Sequence, residues 1–238
     1  MSERSKRYEA VRAQVDRTRL YPTGEAIQLL KACATAKFDE MAAAAFRLNV
    51  DPKKNEHRIR STVILPHGTG KSVRVLAFAK GDKLNEAKAA GADYAGGEDY
   101  VKQIEAGWFE FDAVVATPDI MNVVSKLGKI LGPRGLMPSP KTGTVTPDIA
   151  RAVQELKRGK LEFRSDEYGN VHSPFGKRSF GQDQLRENFL ALAQAIFEEK
   201  PEDIKGKFVK SVTISTTMSP GIKVDPDELG RLVAAQKL

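Results

Sequence analysis

VRVLAFAKGDKLNEAKAAGADYAGGEDYVKQIEAGWFEFDAVVA, residues 73–116, decides the fold class. Residues 73–79 are apolar enough for a buried strand, and a helix is expected near 83–90. A short strand follows at 93–95, then a helix from about Asp99 and a strand over 112–116. Strands alternating with helices make an α/β unit with a parallel sheet. Pro118 then opens a helix at the position where a missing N–H costs nothing, and that helix is predicted to run through Met121, Val124 and Leu127. A last helix over 148–157 stops at Gly159.

On either side the patterns differ. The N-terminal segment to residue 19 carries Arg4, Lys6, Arg7, Arg12, Arg17 and Arg19 and reads as a basic arm or helix. Thr23 is expected to cap a helix with Ile27, Leu30 and Ala34 on one face, ending near Phe38. Cys33 falls on that apolar stripe and is read as core. Over 41–50 the period becomes two, with Ala42, Ala44, Phe46, Leu48 and Val50 on one side and Arg47 and Asn49 on the other, the pattern of a half-buried strand. A second β-rich run, 61–66, precedes PHGTGKS. Beyond Gly159, strands are expected at 160–168 and 171–175, joined as a hairpin by a turn at Gly169 and Asn170. A helix starting at Asp183 carries Leu185, Phe189, Leu192 and Ile196, and 208–217 is a closing strand.

The two flanks therefore read as halves of one α+β domain, residues 1–67 with 159–238, around an inserted α/β Rossmann-like domain, 68–158. Both crossings contain glycine, which permits relative domain motion.

The chain has 238 residues, 38 Lys and Arg against 31 Asp and Glu, and a net charge of +7. Polyanions, nucleic acids above all, are the natural partners of such a surplus. Residues 70–158 hold 13 basic and 11 acidic side chains, leaving 25 and 20 for the flanks, which carry more of the excess. No apolar run reaches the roughly 18 residues of a membrane span, and MSERSKRYEA lacks the apolar centre of a signal peptide, so a cytoplasmic protein is expected. One cysteine and three isolated histidines, His57, His67 and His172, offer no zinc spacing, and no cofactor is expected. His67 to Ser72 imitates the end of a phosphate-binding loop. Leu65, however, stands where that motif needs its first glycine, and a strand rather than a helix follows. The alternative reading, a Rossmann-type nucleotide-binding enzyme using the middle domain, rests on this motif and the α/β cadence.

LGPRGLMPSPKTGTVT, residues 131–146, has three glycines, three prolines, two cations and no acid. Neither helix nor ladder can run through it, so an ordered functional loop is expected. In the closing strand Ser211, Thr213, Ser215 and Thr217 point away from Phe208, Val212 and Ile214. Short hydroxyls on a flat face can bond phosphates and ribose 2′-OH groups at close range, which suits RNA. Met218, Ser219, Pro220 and Gly221 end the strand in an apolar tip and a rigid turn. Phe38, beside Lys37, is placed to stack on a base or cover a ribose, and Arg164, His172 and Lys177 are expected to flank the hydroxyl face.

TAKFDE at 35–40, LPHGTGK at 65–71, AGADYAGGED at 90–99, FDAVVATPDIM at 111–121, the 131–146 loop and STTMSPG at 215–221 together resemble the bacterial ribosomal protein L-one family, in order and over essentially the whole chain. The resemblance implies the two-domain fold just described, joined by a two-strand hinge. It implies a non-enzymatic component of the 50S subunit that binds the 23S rRNA of the mobile stalk near the E site and takes part in release of deacylated E-site tRNA. Repression of translation through its own operon mRNA follows from the same likeness, with no membrane partner and no obligate homo-oligomer. By motif, the RNA surface falls on Lys37, Phe38, Arg164, His172, Ser211, Thr217, Met218 and Pro220, with Thr217 and Met218 central. The family commonly has Gly where Ser219 stands, which raises the question of a positive φ there. Arg134 and Lys141 are expected to make a secondary contact with rRNA or tRNA.

Overall fold

The computed structural model describes residues 5–51, 54 and 57–235. Arg4 of the basic arm lies outside them. In chain order the first elements are α1 (Lys6–Arg12), α2 (Thr23–Cys33), β1 (Met41–Leu48), β2 (Arg60–Ile64), β3 (Val75–Phe78), α3 (Asp82–Ala89), β4 (Tyr94–Gly96) and α4 (Glu98–Glu105). Next come β5 (Ala113–Ala116), α5 (Met121–Val124), α6 (Gly128–Leu131), α7 (Ile149–Lys157) and β6 (Lys160–Arg164). The last are β7 (Asn170–Lys177), α8 (Gln182–Glu198), β8 (Val209–Thr216), β9 (Ile222–Val224) and α9 (Pro226–Ala235). Among the described residues the fold is mixed α/β with three sheets. The Cα positions cluster into two units, Met1–Gly70 with Leu161–Leu238, and Lys71–Lys160.

In the first unit the period-two pattern of β1 becomes one strand of an antiparallel sheet ordered β7-β1-β8-β9. Ala42, Ala44, Phe46 and Leu48 are buried with Val171, Phe175, Val212 and Ile214 in the same core as Ile27, Leu30, Leu185, Phe189, Leu192 and Ile196 of α2 and α8. Burial also pushes the Cys33 thiol pKa up. On the opposite face Ala43, Ala45, Thr213 and Ser215 are half-buried and Arg47, His172, Ser211 and Lys223 exposed, and it is the face that matters below.

Three local expectations in this unit are corrected. α2 ends at Cys33 rather than near Phe38, because Ala34 leaves helical geometry at φ −79, ψ 81 and the Ala36 N–H donates to Glu40 instead of up the helix. Thr23 is the first residue inside that helix, not its cap, and its N–H donates to Glu228 Oε2 at 2.8 Å. The expected hairpin is also split: β6 pairs with β2 in a separate two-stranded sheet, β7 pairs with β1, and a single Ser165–Val171 bridge joins the two arms. In β8 a bulge places Arg47 opposite Ser211 but Leu48 opposite Val209, so Lys210 is skipped outward and Val209 turns into the core.

In the second unit β3 lies between β4 and β5, all parallel. Val75, Ala77 and Val115 share a core with Ile149 and Val153 of α7, while Leu76, Phe78 and Val114 share another with Val101, Ile104, Val124 and Leu131. Helices on both faces explain why every residue of β3 is apolar and buried. Asp112, just before β5, accepts from Lys71 Nζ at 2.7 Å and Arg74 Nε at 3.1 Å. The Lys71 bond leads, and with Arg74 it outweighs burial and lowers the Asp112 carboxyl to about 2. The helix predicted from Pro118 is four short pieces, 3-10 turns at Pro118–Ile120 and Ser125–Leu127 alternating with α5 and α6. Ser125 Oγ donates to the Met121 carbonyl at 2.6 Å, and Gly128 follows, both of which weaken a continuous helix. PHGTGKS leads into β3 and opens no helix. No helix among the described residues is long and apolar enough to cross a membrane.

Candidate nucleic-acid interface

The open face of the antiparallel sheet is built from cross-strand rows. His172, Ala45, Thr213 and Lys223 form one; Asn170, Arg47 and Ser211 a second; Pro174, Ala43 and Ser215 a third. Because β1 contributes alanines between the hydroxyls of β8 and the polar residues of β7, the face is shallow, and a flat backbone can approach it closely. Of its cations, Lys223 stands on the edge strand β9 and Arg47 near the end of the central strand β1, both exposed.

At the end of β8 a buried carboxylate organises the turn. Glu40, with no exposed surface, accepts from the Ala36 N–H at 2.8 Å through one oxygen. Through the other it accepts from the Thr216 hydroxyl at 2.6 Å and the Met218 N–H at 2.9 Å. Burial pushes the Glu40 pKa up, but these donors, with the charge of Arg7, bring it below its ordinary value. Arg7 also donates to the Thr35 hydroxyl at 3.0 Å and the Met218 carbonyl at 3.3 Å, so the basic helix α1 holds the turn from outside.

Around this anchor the sequence-predicted residues gather. Met218 is 46% exposed and Phe38 52%, and both sit in loops fixed by Glu40. Exposed apolar side chains on rigid loops are groups available for contact. Thr217 Oγ1 accepts from the Met41 N–H at 3.1 Å. Ser219 Oγ accepts from the Thr216 N–H at 2.8 Å and donates to the Pro220 carbonyl at 3.2 Å. No described non-glycine residue has positive φ, so Ser219 needs no glycine conformation and adds a hydroxyl that closes the turn. Pro220 is buried beneath it, whereas Lys37 is exposed. Lys177 lies 3.8 Å from Asp39, whose carboxylate also accepts from the Ser179 N–H and hydroxyl, tying the Phe38 loop to the end of β7.

Arg164 and His172 meet in an open groove of about 1000 Å³ lined by Arg58, Ile59, Arg60, Arg164, Ser165, Asp166, Glu167, Asn170 and His172. His172 Nε2 is 3.8 Å from Asp166. Arg134 and Lys141 lie in the other unit. Arg134 stacks over the Phe109 ring at 3.5 Å, and the exposed Lys141 rides a 3-10 turn, Pro140–Thr142. Ser139 N–H donating to Thr144 Oγ1 at 2.8 Å, and Thr142 Oγ1 donating to the Ser139 carbonyl at 3.1 Å, order that loop.

Sequence reading missed Glu40, Arg7, Arg58 and Arg60. For Glu40 the only signal was an acid immediately before an apolar strand, and two of its three donors lie 176 and 178 residues away. His57 is a fold residue: Nδ1 accepts from the Asp51 N–H at 2.9 Å and Nε2 meets Asp203 at 2.7 Å. Among the described residues no group of three or more His, Cys, Asp or Glu is placed to hold a metal.

The model of the Ribosomal protein L1p/L10e family matches residues 30–220, which include β7, β1 and β8 of the sheet, the Glu40 loop and turn, the groove and the whole of the second unit.

Proposed function

The chain belongs to the Ribosomal protein L1p/L10e family, which makes it an RNA-binding protein of the large ribosomal subunit, and we propose that it binds the 23S rRNA of the mobile stalk near the E site. The observation that carries this reading is the Glu40-anchored turn, which holds Thr217 and Met218 at the edge of a shallow hydroxyl face. On this reading Ser211, Thr213 and Thr217 meet ribose and phosphate oxygens, Met218 and Phe38 cover exposed sugars or bases, and Lys37, Arg164, His172 and Lys177 supply the salt-dependent term. Ser219 and Pro220 shape the turn. On this reading residues 1–67 with 159–238 form the rRNA-binding domain, and residues 68–158 form a separate, inserted Rossmann-like domain.

The protein is further read as a bacterial, cytoplasmic member that assists release of deacylated E-site tRNA and represses its own operon mRNA through a similar RNA element. Arg134 and Lys141 make the secondary contact. Family membership lends no support to a nucleotide-binding enzyme, and PHGTGKS has neither the glycine nor the helix such a site needs.

Thr217→Val tests the primary surface. It removes the acceptor of the Met41 N–H and the hydroxyl offered to RNA, and affinity for a stalk rRNA transcript should fall by about 1–3 kcal/mol, relative to a scrambled RNA. Equal filter-binding affinity for both proteins would sink the assignment.

A further inference from the structure

Tyr168 is 80% exposed, the most exposed large hydrophobic side chain described, and its ring contributes nothing to either core. The turn beneath it is nonetheless tightly built. Asp166 accepts from the Tyr168 N–H at 2.8 Å, the Asn170 N–H at 2.7 Å and Asn170 Nδ2 at 3.0 Å, and Gly169, at φ +76, accepts through its carbonyl from the Leu48 N–H at 2.9 Å. An aromatic ring on a turn already ordered by other groups loses little freedom on meeting a ligand.

The same turn borders the arginine groove, since Asp166, Glu167 and Asn170 line it on both sides of Tyr168. Ile59 and Ser165 exchange two hydrogen bonds, 3.1 Å to the hydroxyl and 2.9 Å to the carbonyl, which brings the segment of Arg58 and Arg60 beside Arg164. Arg60 is paired with Glu162 at 2.7 Å. Arg58 and Arg164 are exposed and have no ion pair among the described residues. Two acids, Asp166 and Glu167, also line the groove; the Asp166 oxygens are taken up by the donors of the turn, and an anion is directed away from both acids toward the two arginines. Asn170 and His172 belong both to the groove and to the rows of the open sheet face, so a strand leaving that face passes into the groove.

We infer that Tyr168 and the arginine groove form a second RNA contact, which takes unpaired nucleotides: a base stacks on Tyr168 while the adjoining phosphates lie along Arg58 and Arg164. Stacking on an aromatic ring beside a cationic track is how proteins hold single strands without reading sequence. The inference rests on the rRNA-binding reading above and extends it from the sheet to a flanking single-stranded segment.

Hexaadenylate, titrated into the full-length protein at low salt and followed by NMR, tests it. Saturable shifts are expected at Tyr168, Asn170 and His172. Tyr168→Ala should weaken binding about tenfold and Tyr168→Phe less than about twofold, as stacking requires. The Arg58→Gln, Arg164→Gln double variant should flatten the salt dependence by about 1.4 in log–log slope, two single-strand phosphates. Wild-type hexaadenylate affinity in Tyr168→Ala, or shifts confined to other regions, would overturn the second contact. Thr217→Val separates the two readings: it should weaken binding to the stalk transcript and leave hexaadenylate unaffected. If Thr217→Val weakens transcript binding while Tyr168→Ala leaves hexaadenylate binding unchanged, the primary surface stands and the second contact falls.

Discussion

Replacing Glu40 with Gln isolates what a buried carboxylate does for the proposed interface. Glu40 receives three donors and offers none. Glutamine has one carbonyl oxygen and two N–H groups. In its better orientation the oxygen keeps Thr216 and Met218 while the amide nitrogen faces the Ala36 N–H, so one charge-assisted bond is lost and one buried N–H is left opposite another donor. That costs about 2–3 kcal/mol. The reverse orientation also releases the Met218 N–H and costs more. At about 2–4 °C per kcal/mol for a chain of this size, Tm should fall by about 5–10 °C. Stalk-transcript affinity should drop about tenfold, because Met218 is no longer held in place. The pH dependence carries a second signature. Since the folded pKa of Glu40 lies below its ordinary 4.5, its stabilisation is complete above that value and is lost as pH falls through the folded pKa. The gap between the two proteins in urea unfolding should therefore be widest at neutral pH and narrow in acid. An unchanged urea midpoint together with unchanged RNA affinity would refute the assignment.

Other perturbations probe different parts of the molecule. Asp112→Asn should destabilise the Lys71–Lys160 unit by about 1 kcal/mol at neutral pH, the exposed Lys71 and Arg74 partners being screened by solvent. In wild type that contribution is complete above 3.8 and disappears as pH falls through about 2, a slope that acid unfolding of the variant should lack. Gly169→Ala introduces a Cβ 2.7 Å from Val50 Cγ2 at φ +76 and should cost about 1–3 kcal/mol in denaturant melts. Arg134→Glu with Lys141→Glu should leave stalk-transcript affinity within about twofold, as expected for residues in the other unit, and alter E-site tRNA retention on ribosomes carrying the variant.

Short-range patterns were legible in the sequence wherever one face of an element decided its residues. The alternation of β1 and the β/α cadence of residues 73–116 both survive in the structure, with boundaries shifted by one or two residues. What was not legible depended on particular contacts that no periodicity announces, most of them between residues distant in the chain. The end of α2 is set by Glu40 taking the Ala36 N–H, and the Lys210 bulge is set by pairing with β1. The 160–175 run has hairpin residues at its turn, yet its arms find better partners in β2 and β1. At the candidate site the hydroxyl stripe and the Met218 tip were visible as composition and period. Glu40 was not, because a carboxylate before a strand looks like an ordinary surface acid until two of its three donors arrive from residues 216 and 218. The arginines at 58 and 60 were likewise unremarkable until Ile59 and Ser165 set them beside Arg164.

The strand order β7-β1-β8-β9 has a consequence for synthesis. Both ladder partners of β1 are made after the entire Lys71–Lys160 segment, so while that contiguous unit already has all its strands, β1 emerges with two unpaired edges and an apolar face. Glu40 waits longer still, for donors at residues 216 and 218. A nascent or prematurely terminated chain thus cannot display the surface assigned to RNA. Competence arrives only once residues 216 and 218 have been made, so an RNA that captures the protein there captures only chains that extend beyond them.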